Sequence, residues 1–349
     1  MSGFDADLLV RRVVPVTHDV TTFVLEAPAG WDGRFDAGQH LTLTVPVDGS
    51  TTGESVERCY TISSPPTRPG TLTITVKRQP GGVVSPWLHD HVRPGDRLRA
   101  RGPAGAFTDV EHPASSYLFL TAGSGATPAM SMVRAMADRG SGASVVLVHS
   151  ARTPSDILFR RELAALPESG LDLRVTSVCE SDSPADRWDG PLGRLSASLL
   201  QLVAPDLDRR EVFLCGPPGY MAAATALLDG LGVDPERVHR ESFEVGTADA
   251  LFAEAPVDAD APATVRVELK RTGRTVVCGP GDTVLDAVTA AGVMLRSSCR
   301  QGLCGTCKIS LVEGEVDMRH QGGIRQREID VGRILPCCSR PLTDLVLDA

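Results

Sequence analysis

Four of the nine cysteines fall into one spacing. Cys299, Cys304 and Cys307 lie in CRQGLCGTC, and ILPCCSRP brings Cys337 after 29 further residues, giving C-x4-C-x2-C with a distant fourth thiol. That is the spacing of a 2Fe-2S cluster, whose two irons take soft, anionic sulfur donors. Gly302 and Gly305 let such a loop wrap tightly and turn its backbone N–H groups toward sulfur. A structural zinc site is the alternative, but zinc sites usually bring paired C-x2-C knuckles and this chain has a single one. Cys338 competes with Cys337 for the fourth position. Cys59, Cys179 and Cys278 read as small buried residues.

Other segments suit phosphates and rings. In ERCYTISSPP, Arg58 and Tyr60 fall on one side of a strand, so a cation and an aromatic can meet a nucleotide's pyrophosphate and ring system together. Further on, GGVVS places Gly82, Val84 and Ser85 at the start of a short helix, whose N–H groups and positive dipole end favour a pyrophosphate. LFLTAGSGATP sets Gly123, Gly125, Thr127 and Pro128 between a strand and a helix, where glycine lets backbone approach phosphate. FLCGPPGYM ends another apolar strand with Cys215, Gly216 and Pro217. HSARTPSDILFRREL offers Ser150, Arg152, Arg160 and Arg161 near the expected ribose end of a bound nucleotide. Arginine binds a 2′-phosphate by paired hydrogen bonds, yet no acidic residue stands out as one that rejects it, so NADH and NADPH both stay open.

These motifs need a frame. From Leu8 to about Phe107, short alternating stretches (LTLTVPV, TLTITVKRQ, DRLRARG) between Gly and Pro turns predict an antiparallel β-barrel with one short helix near Ser85 to His91. From Tyr117, continuous apolar runs (YLFLTAG, SVVLVHSA, LDLRVTSV, EVFLCG) alternate with helical segments and predict a doubly wound α/β domain. After Thr264, TVRVELK, the turn RTGR and TVVCG predict a hairpin, followed by a helix from Asp282 to Gly292 in a small α+β beta-grasp module. The expected domains are a β-barrel at 1–112, a doubly wound nucleotide-binding domain at 113–244, a linker at 245–261 and a small ferredoxin-like module at 262–349. The linker, rich in Ala, Asp and Pro, has an expected span of roughly 25 Å.

Composition narrows the field. Hydrophobic residues at 42% and charged ones at 23% suit a globular chain, and a net charge of −9 argues against nucleic-acid or anionic-membrane binding. No apolar run reaches the roughly 18 to 20 residues that cross a bilayer, and MSGFDADLLV lacks the pattern of a leader, so a cytoplasmic location is expected. Residues 264–349 carry 12 Lys and Arg against 10 Asp and Glu. Arg296, Arg300 and Lys308 flank the cysteine loop and suggest a basic rim that steers docking.

Arg58, Tyr60, Thr61 and Ser64 fit R-x-Y-[ST]-x-x-S, and with GGVVS, GSGATP and CGPP following in order the chain resembles the ferredoxin-NADP reductase family. The cysteine loop is similar to plant-type ferredoxins, in which a proline follows the last ligand by four positions; Cys337 and Pro341 match. Together the resemblances cover nearly the whole chain. They imply FAD, with FMN as the alternative, and place Thr61 at the flavin N5 and Cys215 beside the nicotinamide. Glu241 and Phe243 of RESFE match the family's closing acid and aromatic. The implied reaction takes a hydride from NADH or NADPH, with NADH the expectation, and releases single electrons through the cluster. The domain order and the ending HQGGIRQREIDVGRILPCCSRPLTDLVLDA resemble reductase components of Rieske oxygenases acting on quaternary amines such as glycine betaine or carnitine. That implies an oxygenase as electron acceptor and a chain that is monomeric alone. Reductases of a hybrid-cluster protein or of a phenylacetyl-CoA epoxidase share the architecture, and a redox-sensing carrier is a further reading.

Overall fold

The β-rich start of the chain closes on itself. Strands β1 (Phe4–Pro15), β2 (Val20–Glu26), β3 (His40–Pro46), β4 (Ser55–Thr61), β5 (Thr71–Lys77) and β6 (Arg97–Ala104) form an antiparallel sheet in the order β4-β3-β6-β1-β2-β5. Its two edges meet through the Ile62–Ile74 bridge, where the Ser63 N–H donates to the Thr73 carbonyl at 2.8 Å, so the sheet curls into a barrel. The alternation seen in the sequence puts Leu41, Leu43, Val45, Leu72, Ile74 and Val76 inside. Helix α1 (Val84–His91) adds Val84 and Leu88 to that core.

The computed structural model describes residues 3–46, 55–182, 186–243, 264–293, 295, 297, 300, 302, 305–320 and 323–349. They belong to two compact units, Met1–Phe243 and Glu244–Ala349. The expected linker at 245–261 lies outside the described residues.

In the first unit the barrel is followed by a parallel sheet of β7 (Ser116–Ala122), β8 (Ser144–Ala151), β9 (Asp172–Cys179), β10 (Glu211–Cys215) and β11 (Val238–Glu241), in the order β11-β10-β7-β8-β9. Helices α2 (Ala126–Asp138), α3 (Arg160–Ala165), α4 (Ala197–Val203) and α5 (Pro218–Gly230) connect it. Both faces are covered: Phe119, Leu147 and Phe213 pack with α2 residues such as Met130, whereas Leu118, Val146 and Leu214 pack with Leu200 of α4 and Leu228 of α5. Double coverage is why these strands read as unbroken apolar runs. Strand order reverses at β7, and the crevice over the carboxyl ends at such a switch point is the ligand position of this architecture. Barrel and α/β sheet form one unit, because Ala37 and Phe107 enter the core around Phe213 and Ser131 of α2 donates to the Ser64 carbonyl at 2.9 Å.

A buried histidine couples this core to pH. The Leu158 N–H donates to His149 Nε2 at 3.4 Å, which leaves the Nδ1 proton for Thr121 Oγ1 at 2.9 Å. Burial pushes the imidazole pKa down to about 4. Between the unfolded value near 6.5 and 4, the unfolded chain takes up a proton that the folded chain refuses, so stability present above pH 6.5 falls as pH drops, by about 3 kcal/mol at the end of the window. Urea midpoints of the His149→Gln variant are expected to show a flatter slope across that window; an unchanged slope would assign the acid sensitivity elsewhere.

The second unit is a beta-grasp. Strands β12 (Val265–Leu269), β13 (Arg274–Cys278), β14 (Ile309–Glu313), β16 (Arg333–Ile334) and β18 (Leu345–Leu347) form a mixed sheet in the order β13-β12-β18-β14-β16, beside a ribbon of β15 (Val316–Met318) and β17 (Ser339–Pro341). Helix α6 (Val284–Ala290) is shorter than its expected Asp282–Gly292 span, because the Thr283 hydroxyl caps it by accepting from the Asp286 N–H at 3.2 Å. Its Val284, Ala287 and Val288 cover Val267, Leu269 and Leu347. Cys179 and Cys278 are buried as expected, whereas Cys59, on edge strand β4, is half-buried. Of the three cations expected to form a basic rim, Lys308 pairs with Glu328 at 2.9 Å, Arg300 lies 3.7 Å from Asp286 and Arg296 lies outside the described residues.

Candidate functional site

Backbone geometry explains the glycines at the switch point. Gly123–Gly125 makes a tight 3-10 turn and α2 begins at once, with no side chain capping its first N–H groups. Thr127 turns its hydroxyl back to the Ser124 carbonyl at 2.9 Å, and Pro128 is buried in the first turn of α2. A Cβ on Gly125 would lie 2.2 Å from the Cys215 carbonyl oxygen, so turn and strand end touch as only glycine allows. Gly125→Ala is therefore expected to destabilise the chain by about 1 to 3 kcal/mol. Gly142→Ala, with nothing within 4 Å of the added carbon, serves as the control in the same urea titration.

At the same end of the sheet, Cys215 and Glu241 stand opposite each other across β10 and β11. Both are buried. Burial first, and the Glu241 charge second, push the Cys215 thiol well above its usual pKa, so it is a neutral, compact surface rather than a nucleophile. Gly216 is buried behind it, Pro217 is exposed at the start of α5, and Phe243 is 37% exposed beyond β11.

The barrel presents the second cluster. Arg58 and Tyr60 share a face of β4, and burial raises the Tyr60 phenol. Thr61 ends that strand with its hydroxyl buried and without a hydrogen-bond partner among the described residues. Ser64 accepts from the Thr73 N–H at 3.0 Å, and Ser85 accepts from the Gln79 N–H at 3.0 Å, so both hydroxyls brace the loops around the motif. Helix α1, which begins at Val84 next to exposed Gly82, has no side-chain cap. An orphaned hydroxyl on the barrel and uncapped starts on α1 and α2 fit a flavin pyrophosphate and a second nucleotide.

In the second unit Cys307 and Cys337 are buried with their sulfurs 3.3 Å apart. A disulfide requires about 2.05 Å. Two thiolates on one tetrahedral metal with bonds of about 2.3 Å stand roughly 3.8 Å apart, so the pair suits a shared iron. Cys338 instead donates to the Leu335 carbonyl at 3.6 Å. Gly302 and Gly305 adopt φ of +68° and +67°, and a Cβ on either would come within 2.6 Å of Cys338 Sγ or the Gly323 carbonyl respectively. Cys299 and Cys304 lie outside the described residues.

A cavity of about 350 Å³ opens over the carboxyl ends of β7, β8 and β9. Gly123, Ser150, Arg152 and Pro217 line it, as the motifs suggest. Arg160 is instead engaged by Asp186 at 2.5 Å and by the Trp188 ring. Asp19 and Lys77, from the barrel, and Glu180, Arg194 and Tyr220 also line the cavity. Tyr220 lies within GPPGYM and was visible there; Asp19 belongs to no motif.

Comparisons with known proteins agree with this geometry. The chain matches the oxidoreductase FAD-binding domain at residues 7–108, the oxidoreductase NAD-binding domain at 119–226 and the 2Fe-2S iron-sulfur cluster binding domain at 267–342. It is 40% identical to the glycine betaine monooxygenase reductase subunit of Pseudomonas aeruginosa, over 97% of this chain and 94% of that one. It is 41% identical to a stachydrine N-demethylase reductase subunit of Rhizobium meliloti, over 96% of this chain and 94% of that one. Among solved structures, phthalate dioxygenase reductase superposes with a TM-score of 0.56 at 25% identity, covering 99% of this chain and 98% of that one. Among the described residues no helix is long and apolar enough to cross a membrane. The chain thus belongs to the family of oxygenase reductase subunits, oxidoreductases that carry FAD-binding, NAD-binding and 2Fe-2S domains on one polypeptide.

Proposed function

We propose that this chain draws electrons from NADH or NADPH and hands them singly to a separate oxygenase of the Rieske type that acts on an N-methylated quaternary amine. The observation that carries the proposal is the buried Cys307–Cys337 pair, 3.3 Å apart, on the same polypeptide as a nucleotide-binding unit. A dehydrogenase of small molecules needs no one-electron outlet; a reductase of an oxygenase does. The betaine-type substrate is supported by the names of two relatives, reductase subunits of a glycine betaine monooxygenase and of a stachydrine N-demethylase.

The bound flavin supplies the exchange between paired and single electrons. The chain supplies orientation. Thr61 would offer its buried hydroxyl to a bound flavin, and Arg58 would offer charge to its pyrophosphate, helped by the start of α1 at Gly82, Val84 and Ser85. Gly123, Gly125 and Thr127 bring the start of α2 to the coenzyme phosphates, and neutral Cys215 with Glu241 forms the floor for the nicotinamide. Cys299, Cys304, Cys307 and Cys337 would hold the cluster. We assign a soluble cytoplasmic chain that is monomeric when alone.

Anaerobic addition of NADH to the purified holoprotein should bleach both flavin and cluster absorbance, and substrate should turn over only when the oxygenase is added. A redox-sensing carrier would instead bind its partner differently in the two oxidation states and give no turnover. Zinc in place of iron and sulfide would sink both readings.

A further inference from the structure

A ribose 2′-phosphate brings a charge of about −1.5 to −2 and needs a cation with donors to spare, whereas a ribose diol needs hydrogen-bond acceptors. The cavity over β7, β8 and β9 contains three cations, and each stands within 4 Å of a carboxylate. Arg152 Nη2 lies 3.0 Å from Asp156 Oδ1 and 3.3 Å from Asp19 Oδ2. Lys77 Nζ is 3.4 Å from the same Asp19 oxygen, and Arg194 Nε is 3.6 Å from Glu180. Formal charges over Asp19, Asp156, Glu180, Lys77, Arg152 and Arg194 cancel. Both carboxylates beside Arg152 are fixed in place, since Thr17 donates to Asp19 at 2.9 Å and Thr153 to Asp156 at 3.0 Å.

We infer that Asp19, carried by the barrel turn between β1 and β2, acts with Asp156 to select NADH over NADPH by occupying Arg152. The inference rests on the coenzyme reading above and adds the discriminating residues to it. Arg152 sits where a 2′-phosphate receptor belongs, just beyond the end of β8, but its Nη2 is shared by Asp156 of its own domain and Asp19 of the barrel. A phosphate arriving there meets two carboxylates within 3.3 Å of Arg152 Nη2, and gains the other guanidinium donors only against their repulsion. The ribose diol meets no such barrier, and half-exposed Glu180, just beyond β9, offers it an acceptor.

Calorimetric binding of ADP-ribose and of 2′-phospho-ADP-ribose to the holoprotein tests this without electron transfer. The wild type is expected to bind ADP-ribose roughly tenfold tighter or more, and the Asp19→Asn, Asp156→Asn double variant to reduce that preference by about tenfold. The ratio of kcat/KM for NADPH over NADH, with ferricyanide as acceptor, should rise in parallel. Asp19→Asn alone, checked by its thermal midpoint, gives the same reading in smaller measure should the double variant fail to fold. Equal or tighter binding of the phosphorylated ligand by the wild type overturns the inference, as does a preference that moves by less than twofold in the variants. If wild type binds neither ligand, the coenzyme reading falls and the inference with it.

Discussion

Cys337→Ala is expected to lower electron delivery to a one-electron protein acceptor by on the order of 100-fold or more, while NADH oxidation by ferricyanide, which the flavin serves directly, persists. The reason lies in the sulfur positions. Cys307 and Cys337 are the described thiols that approach to 3.3 Å in a buried site, and removing one leaves an iron short of a ligand. Cys338→Ala tests the neighbouring thiol. Its sulfur points to the Leu335 carbonyl and packs against Gly302, so its loss should shave stability and leave the cluster absorbance in place. The opposite pattern, with the cluster lost in Cys338→Ala and kept in Cys337→Ala, would reverse the ligand assignment. Undiminished transfer to the protein acceptor from a clusterless Cys337→Ala would place the outlet at the flavin and remove the cluster from the route.

What the sequence revealed and what it hid divide along contact range. C-x4-C-x2-C and GSGATP are short because their chemistry needs several backbone groups within a few ångströms, which neighbouring residues supply most directly. Strand rhythm was equally legible: LTLTVPV alternates because β3 has one face in a barrel core, and YLFLTAG does not because helices cover β7 on both faces. The coenzyme selector was not legible. Asp19 meets Arg152 across 133 positions, from a turn whose local pattern says only that β1 ends there. Spacing alone left Cys337 and Cys338 open and the ferredoxin resemblance through Pro341 favoured Cys337; the structure adds side-chain directions, with Cys337 turned to Cys307 and Cys338 to the Leu335 carbonyl. The segment ATPAMSMVRAMADRG announced a helix, but its polar residues Ser131 and Arg134 gave no sign that they reach into the barrel to hold Ser64 and Ser63.

That last contact predicts a long-range effect on flavin binding. Arg134 is nearly buried: Nε and Nη2 donate to the two Glu162 oxygens, Nη1 donates to the Ser63 carbonyl at 2.5 Å, and the guanidinium lies 4.9 Å from the Phe159 ring centre. Ser63 and Ser64 follow Thr61 with only Ile62 between, so this arginine fixes the backbone that aims the flavin motif. Arg134→Met strands Glu162 and the Ser63 carbonyl together. Loss of one partner from a buried pair costs about 3 to 5 kcal/mol; Glu162 is 37% exposed and its charge partly solvated, which brings the expectation to about 2 to 3 kcal/mol. FAD affinity should fall roughly tenfold as well, because ordering the loosened segment is then charged against binding. Adding Glu162→Leu separates the two effects: it removes the stranded carboxylate and should recover part of the stability, yet it supplies no donor to Ser63, so FAD affinity should stay low. Urea midpoints and FAD fluorescence quenching on both variants decide the matter. Recovery of affinity along with stability would mean that Arg134 acts through general packing rather than through its grip on the flavin segment.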